Sequence, residues 1–442
     1  MSLPRMIRSA VMRRMADAER HALARAQAER RRLAENRPHE VRFFHQPDDP
    51  HSHLALQALP AFLARFNARV LPHVVAQPAP GAIHEQRLWD AWSRGECRTM
   101  APAFDLSAPG DRAPDQAATD LARRILLKAE ASADFVELAI ATGRALHAGD
   151  GRALEAITLR YGALAVGRAQ ERLHENFSLR HRLGHYLSGM FYYEGEWYWG
   201  IDRLHYLESR LEALGVRRPD APVGPSLAVQ RVAAVAPVPG RRLVLEFFPS
   251  IRSPYTHLSY GRVSELVRRH PIDLVVRPVL PMMMRGVKAD RRKGQYILFD
   301  TRREADRLGI PFGNLWDPFG EPVRRAYSLF PWARDQGRGF EYLHEYSKAV
   351  WSERIDAMSP RGLRTIVERA GLPWDAARVR LDSRDWEPEL ERNVQDMIAA
   401  GSWGVPTLRL PASRGEAAFT VWGQDRLWLL EDEIVRRLAA RG

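Results

Sequence analysis

A chain of 442 residues, 45% apolar and 27% charged, is long for a single hydrophobic core, so two globular domains are expected. No apolar run approaches the ~18–20 residues of a membrane span, and the first twenty residues hold no continuous apolar stretch of the secretory kind, so a cytoplasmic protein is expected. The net charge of +12 is spread along the chain as arginine, which points to compositional bias rather than a nucleic-acid surface; the single cysteine, Cys97, excludes an internal disulfide framework and any Cys-x-x-Cys redox pair.

In chain order, residues 1–37 read as one basic amphipathic helix. The first 36 carry nine arginines against Asp17, Glu19, Glu29 and Glu35, with Met12, Met15, Ala16, Leu23, Ala26 and Leu33 at helical spacing. A docking or oligomerising helix fits this best, ahead of an anionic membrane surface or nucleic acid. Next come a strand at 41–45, a helix at 51–66, a strand at 69–76, helices to about 182, a hairpin at 190–199 and a helix at 202–214. Residues 216–240 are rich in Pro, Ala and Val, as a linker is. The pattern then restarts with a strand at 243–248, a helix at 254–270 and a strand at 272–279. A helical insertion at about 290–401, a hairpin at 407–410 and 418–423, and a closing helix at 425–440 complete it.

Two echoes mark this restart as a repeat. "FFHQPDDPHSHL" (43–54) and "FFPSIRSPYTHL" (247–258) share both Phe, a Pro, a His and the final Leu, while "WGIDRLHYLE" (199–208) and "WGQDRLWLLE" (422–431) agree at seven of ten positions. A βαβ unit, helices, then ββα is thioredoxin-like topology. The expected fold class is therefore α/β, with two tandem thioredoxin-like domains at 38–215 and 241–442, each carrying a helical insertion, plus the N-terminal helix. A right-handed crossover puts the start of each first helix at the C-terminal edge of its sheet, where open α/β sheets bind ligands.

Ser253 stands at that helix start. A serine there can simply cap the helix, and Pro254 suits the first helical position. In thioredoxin-like folds the same turn holds sulfur chemistry, because a helix start favours a thiolate. This turn has no cysteine, so it cannot run disulfide exchange itself, but a serine hydroxyl can donate to a thiolate brought in by a cofactor. "GSWGVPT" (401–407) puts Pro406 before an edge strand; a cis Val405–Pro406 bond would turn the Val405 backbone toward a peptide-like ligand. "WGQDRL" (422–427) reads as the cap of the last helix, with Asp425 at the N-cap, and Gln424 and Asp425 can hold an α-amino-acid headgroup.

"SPYTHL", "RPVL", "KGQY", "GVPT" and "WGQDRL" occur in an order that resembles the 2-hydroxychromene-2-carboxylate isomerase and kappa-class glutathione transferase family, within the DsbA-like thioredoxin superfamily. The resemblance covers residues 240–442 and implies glutathione as cofactor. It implies Ser253 as the catalytic residue at the sulfur, and Val405, preceding Pro406, against the cysteinyl backbone. Gln424 and Asp425 would take the γ-glutamyl end, and Lys293 the glycine carboxylate. It also implies a small-molecule substrate, an aromatic or chromene carboxylate, and a dimeric habit that a tandem chain meets as a homo-oligomer or an intrachain pseudo-dimer. The family's Gly-Asn-x-Pro-Pro stretch is absent, and "MMMRGVKADRR" (282–292) stands in its place.

Tyr255, Arg277 and Met283 are the candidate substrate-pocket residues, with Arg285 and Lys293 adding positive charge for an anionic substrate. In the first half Asp49 replaces the serine and Gly189 the proline, so that half reads as a degenerate copy without glutathione. His45, His51 and His53 beside Asp49 have poor geometry for a metal, and no metal is expected. Two functions stay open: a glutathione-dependent isomerase, transferase or peroxidase, and a non-catalytic thioredoxin-like binding or scaffold protein.

Overall fold

The computed structural model describes residues 3–78, 81–222, 224–233, 236–287 and 290–440. Parts of three segments named above, Met1 and Ser2 in 1–37, Val223, Ala234 and Val235 in the linker and Lys288 and Ala289 in 282–292, lie outside these. The chain divides into two compact units, Met1–Arg20 with Val232–Gly442, and His21–Arg231.

Helices α1 (Leu3–Met15) and α2 (Ala18–Ala34) open the chain. Two helices replace the single one expected, because the Asp17 carboxylate accepts the Glu19 and Arg20 N–H groups and so caps a new start. Then follow β1 (Glu40–His45), α3 (Pro50–Gln57), α4 (Leu59–Arg65) and β2 (Arg69–Val74). The expected helix 51–66 breaks at Ala58, since Pro60 near the start of α4 has no N–H to continue the ladder. Helices α5 (Gln86–Met100), α6 (Gln116–Ala129), α7 (Phe135–Ala148), α8 (Gly151–Tyr161) and α9 (Val166–Arg182) lead to β3 (Met190–Tyr193), β4 (Glu196–Trp199) and α10 (Leu204–Ala213).

The other unit continues with β5 (Leu243–Phe248), α11 (Pro254–Arg269) and β6 (Ile272–Val276). Strand β6 ends before 279, where Pro278 removes a donor, yet Val279 N–H still reaches the Pro249 carbonyl at 2.9 Å. The insertion comprises α12 (Arg291–Leu308), α13 (Glu321–Asp335), α14 (Gly339–Trp351), α15 (Pro360–Arg369), α16 (Trp374–Arg378) and α17 (Glu387–Ala399); β7 (Thr407–Leu410), β8 (Phe419–Trp422) and α18 (Leu427–Ala439) close it.

Among the described residues the sheets run β2-β1-β3-β4 and β6-β5-β7-β8. In each, the first strand pairs parallel with the second and antiparallel with the third, and the third pairs antiparallel with the fourth. The registers correspond as well: Phe44 faces Met190 where Phe248 faces Thr407. Strands β1 and β5 are central because their apolar residues Val41, Phe43, Phe44, Leu245, Phe247 and Phe248 are fully buried. None of the described helices is long and apolar enough to cross a membrane.

Candidate functional site

The turn between β5 and α11 is held from several sides. Ser253 N–H donates to the Ser250 carbonyl at 2.9 Å, Ile251 N–H to the Tyr327 hydroxyl at 3.3 Å, and the Trp351 indole to the Ile251 carbonyl at 3.3 Å. The helical insertion thus fixes the turn, and Ser253 emerges half-buried at the N-cap of α11. Its Oγ accepts the Thr256 N–H at 3.2 Å. The Ser253 hydroxyl proton remains, and its in-chain acceptor among the described residues, the Val405 carbonyl, is 3.5 Å away, the limit of a hydrogen bond.

Val405 belongs to a loop shaped by its own contacts. The Thr407 hydroxyl donates to the Gly404 carbonyl and meets the Ser402 hydroxyl, both at 2.7 Å. The Val405–Pro406 peptide is cis. Gly404 leaves no room for a side chain, since a Cβ there would sit 2.3 Å from the Trp422 ring, itself packed against Trp403 with centroids 4.5 Å apart. Val405 N–H takes no hydrogen bond among the described residues. Ser253 and the 402–406 loop are therefore brought together from opposite ends of the unit.

The remaining candidates divide. Lys293 lies in the first turn of α12 and is part-buried, with no ion-pair partner among the described residues; burial lowers its pKa. Met283 is 40% exposed on a short 3-10 turn. Gln424, however, is buried and occupied at both ends. Its amide donates to Glu304 on α12 at 2.7 Å, and Arg262 on α11 donates to its Oε1 and, at 2.6 Å, to its carbonyl. Its side chain is thereby engaged within the unit and braces α11 against α12. Asp425 does not cap α18, which starts at Leu427 after a 3-10 turn without a side-chain cap; its carboxylate lies 3.8 Å from Arg426.

Two pocket candidates are also otherwise engaged. Arg277 pairs with Glu246 at 2.7 Å and Asp396 at 3.0 Å, so its charge is matched by two carboxylates. The Tyr255 hydroxyl donates at 2.8 Å to Asp300, a fully buried carboxylate that Arg303 also holds. Arg285 donates to the Trp403 carbonyl at 3.1 Å. The sequence reading overlooked Arg252, beside Ser253, whose guanidinium is 3.3 Å from the Met283 sulfur. An arginine directly before the cap residue of this turn was the available signal.

In the other unit the equivalent turn is closed. Asp49 caps α3 through the His51 N–H at 3.1 Å and accepts the Ser188 hydroxyl at 2.8 Å. Burial raises its pKa to about 6, against the opposing hydrogen bond from Ser188. Gly189, at φ +65°, lets the chain pass where a Cβ would come within 3.2 Å of the Ser52 backbone. His45 and His147 are driven down to about 3 and 4, and His53 well below its usual value, chiefly by burial. No group able to hold a metal occurs among the described residues.

Residues 244–435 match the family model of the DSBA-like thioredoxin domain. This places Ser253, the 402–406 loop and Lys293 inside the DsbA-like region of the chain. Among solved structures, a 2-hydroxychromene-2-carboxylate isomerase is 23% identical, with 44% of this chain and 96% of that one covered and a TM-score of 0.37. The cytosolic disulfide reductase DsbM from Pseudomonas aeruginosa with GSH is 17% identical over 44% of this chain and 97% of that one, with a TM-score of 0.34. A probable DsbA oxidoreductase from Streptomyces coelicolor is 15% identical over 45% and 92%, with a TM-score of 0.35. No curated protein matches the chain.

Proposed function

We propose that the DsbA-like region is a glutathione-dependent isomerase or transferase acting on a conjugated aromatic carboxylate, with Ser253 as the residue that meets the sulfur. The observation that carries this reading is the Ser253 hydroxyl. Its oxygen is committed to the helix cap, while its acceptor among the described residues, the Val405 carbonyl, is 3.5 Å away. Residues 249–254 contain no cysteine, so this turn needs a sulfur from outside.

Glutathione fits the residues present in part. Among the described residues Val405 N–H and the Lys293 ammonium have no partner; the first suits a cysteinyl backbone and the second a carboxylate. The resemblance gives the γ-glutamyl end to Gln424 and Asp425; Gln424 is tied to Glu304 and Arg262, and Asp425 lies 3.8 Å from Arg426. Glutathione would supply the thiol. Ser253 would donate its proton to that sulfur while still accepting from Thr256. A hydrogen bond to a charged group is worth about 1.5–3 kcal/mol and the helix start about 0.3–1 kcal/mol, enough to lower an ordinary thiol pKa by roughly one to three units. The other unit reads as a degenerate copy: its sheet has the same strand order, but Asp49 and Gly189 replace Ser253 and Pro406 and offer a sulfur a carboxylate instead of a donor.

Calorimetric titration of the full chain with glutathione tests the reading. Binding that weakens in Lys293→Ala supports it. The absence of binding at millimolar glutathione leaves the second reading, a non-catalytic thioredoxin-like binding module, which the engaged Gln424 favours.

A further inference from the structure

Asp317 is fully buried and carries two arginines. Arg252 clamps it through Nε to Oδ1 at 3.1 Å and Nη2 to Oδ2 at 3.4 Å, while Arg8 of α1 donates to the same Oδ2. Both guanidinium groups lie over the Phe319 ring, that of Arg252 4.7 Å and that of Arg8 5.1 Å from its centroid. Helix α1 is fastened around this point: Ser9 Oγ accepts the Asp317 N–H at 3.0 Å, Arg13 donates to the Leu315 carbonyl at 3.1 Å, and Arg5 pairs with Asp356 at 2.8 Å.

Among the described residues Arg8 and Arg252 share this one carboxylate, two cations on a single anion. The clamp uses Nε and Nη2 of Arg252 and leaves Nη1 outside it. That nitrogen meets the thioether of Met283 at 3.3 Å, a weak acceptor that does not satisfy a guanidinium. Arg252 directly precedes Ser253, so its side chain leaves the backbone at the same turn as the serine. By contrast Arg277 is paired twice, and Arg285 is committed to the Trp403 carbonyl.

We propose that Arg252 selects an anionic substrate at the Ser253 site by donating Nη1–H to its carboxylate, with Met283 as the apolar wall beside it. Asp317 aims the guanidinium. Arg8 is a positioning residue, because sharing Asp317 with it leaves the Arg252 charge available. This rests on the proposed function, and extends it to the substrate's charged group and to a role for the N-terminal helix.

The test is binding of cinnamate and of methyl cinnamate to the full chain with glutathione present, and of glutathione alone. The wild type is expected to hold the acid roughly ten- to a hundredfold more tightly than the ester. Arg252→Gln removes that preference and leaves glutathione affinity unchanged; Arg8→Gln reduces it and Arg8→Lys restores it. No acid preference in the wild type, or a preference that survives in Arg252→Gln, overturns the inference. So does a loss confined to glutathione, which would mean that Arg252 serves the cofactor's carboxylate. If Arg252→Gln does not fold, the wild-type preference and the two Arg8 variants decide. Glutathione that fails to bind the wild type at all defeats the functional reading instead, and the two failures are thereby told apart.

Discussion

Asp49 accepts the Ser188 hydroxyl at 2.8 Å in the position where, in the other unit, Ser253 faces the Val405 carbonyl at 3.5 Å. One helix start is sealed by a short hydrogen bond within the chain, and the other keeps a donor in reserve. The difference comes from a single side-chain type at the cap. A carboxylate can only accept when ionised, so it draws in a neighbour; a hydroxyl accepts and donates at once.

The sealed turn gives a pH signature. The Asp49 pKa rises to about 6 in the folded chain from an ordinary value of 3.8, so between these values the native state binds more protons than the unfolded one. Its contribution therefore falls as pH rises from about 4 to 6. Asp49→Asn, which keeps the cap and the contact with Ser188, is expected to flatten stability across that window. Above it the variant should be more stable by at most about 3 kcal/mol, as read by denaturant unfolding at several pH values. An unchanged pH profile would contradict the buried carboxylate.

Gly404 is required by the Trp422 ring, 2.3 Å from where a Cβ would lie. Trp403 packs against that ring with centroids 4.5 Å apart, which limits its room to move. Gly404→Ala is expected to cost about 1–3 kcal/mol and to lower the melting temperature. A variant as stable as the wild type would show that the loop is looser than described.

Gln424 and Lys293 should separate stability from binding. Removing Gln424 leaves Glu304 buried without its amide donor, so Gln424→Ala is expected to lose about 1–3 kcal/mol of stability. Lys293→Met removes a desolvated cation with no ion-pair partner among the described residues and should leave stability unchanged or raised while weakening glutathione. Calorimetry and thermal melts on both variants check this; the reverse pattern would make Gln424 the ligand and Lys293 the strut.

Much of the fold was legible because its signals are local. The apolar runs at 41–45 and 243–248, the caps Asp49 and Ser253 and the prolines after them each act within a few residues, and strands and helices follow. The break between α1 and α2 was equally local, an Asp two residues before a Glu, but it was masked by continuous helical periodicity across Asp17. The positions of Ser253 at the cap and of Val405 beside it were legible because backbone geometry decides them. Gln424 and Arg277 read as free ligands because their partners, Glu304 and Asp396, lie more than a hundred residues away and are set by tertiary packing. Arg252 was hidden for the same reason, since its meaning depends on Asp317 and on Arg8 from the start of the chain.

The most direct measurement is an ultraviolet titration of the glutathione thiol in the presence of the wild-type chain and of Ser253→Ala. The bound thiol is expected to ionise roughly one to three pH units below free glutathione, with most of that shift gone in the alanine variant. A bound thiol that ionises at the same pH in both chains would contradict the role given to Ser253.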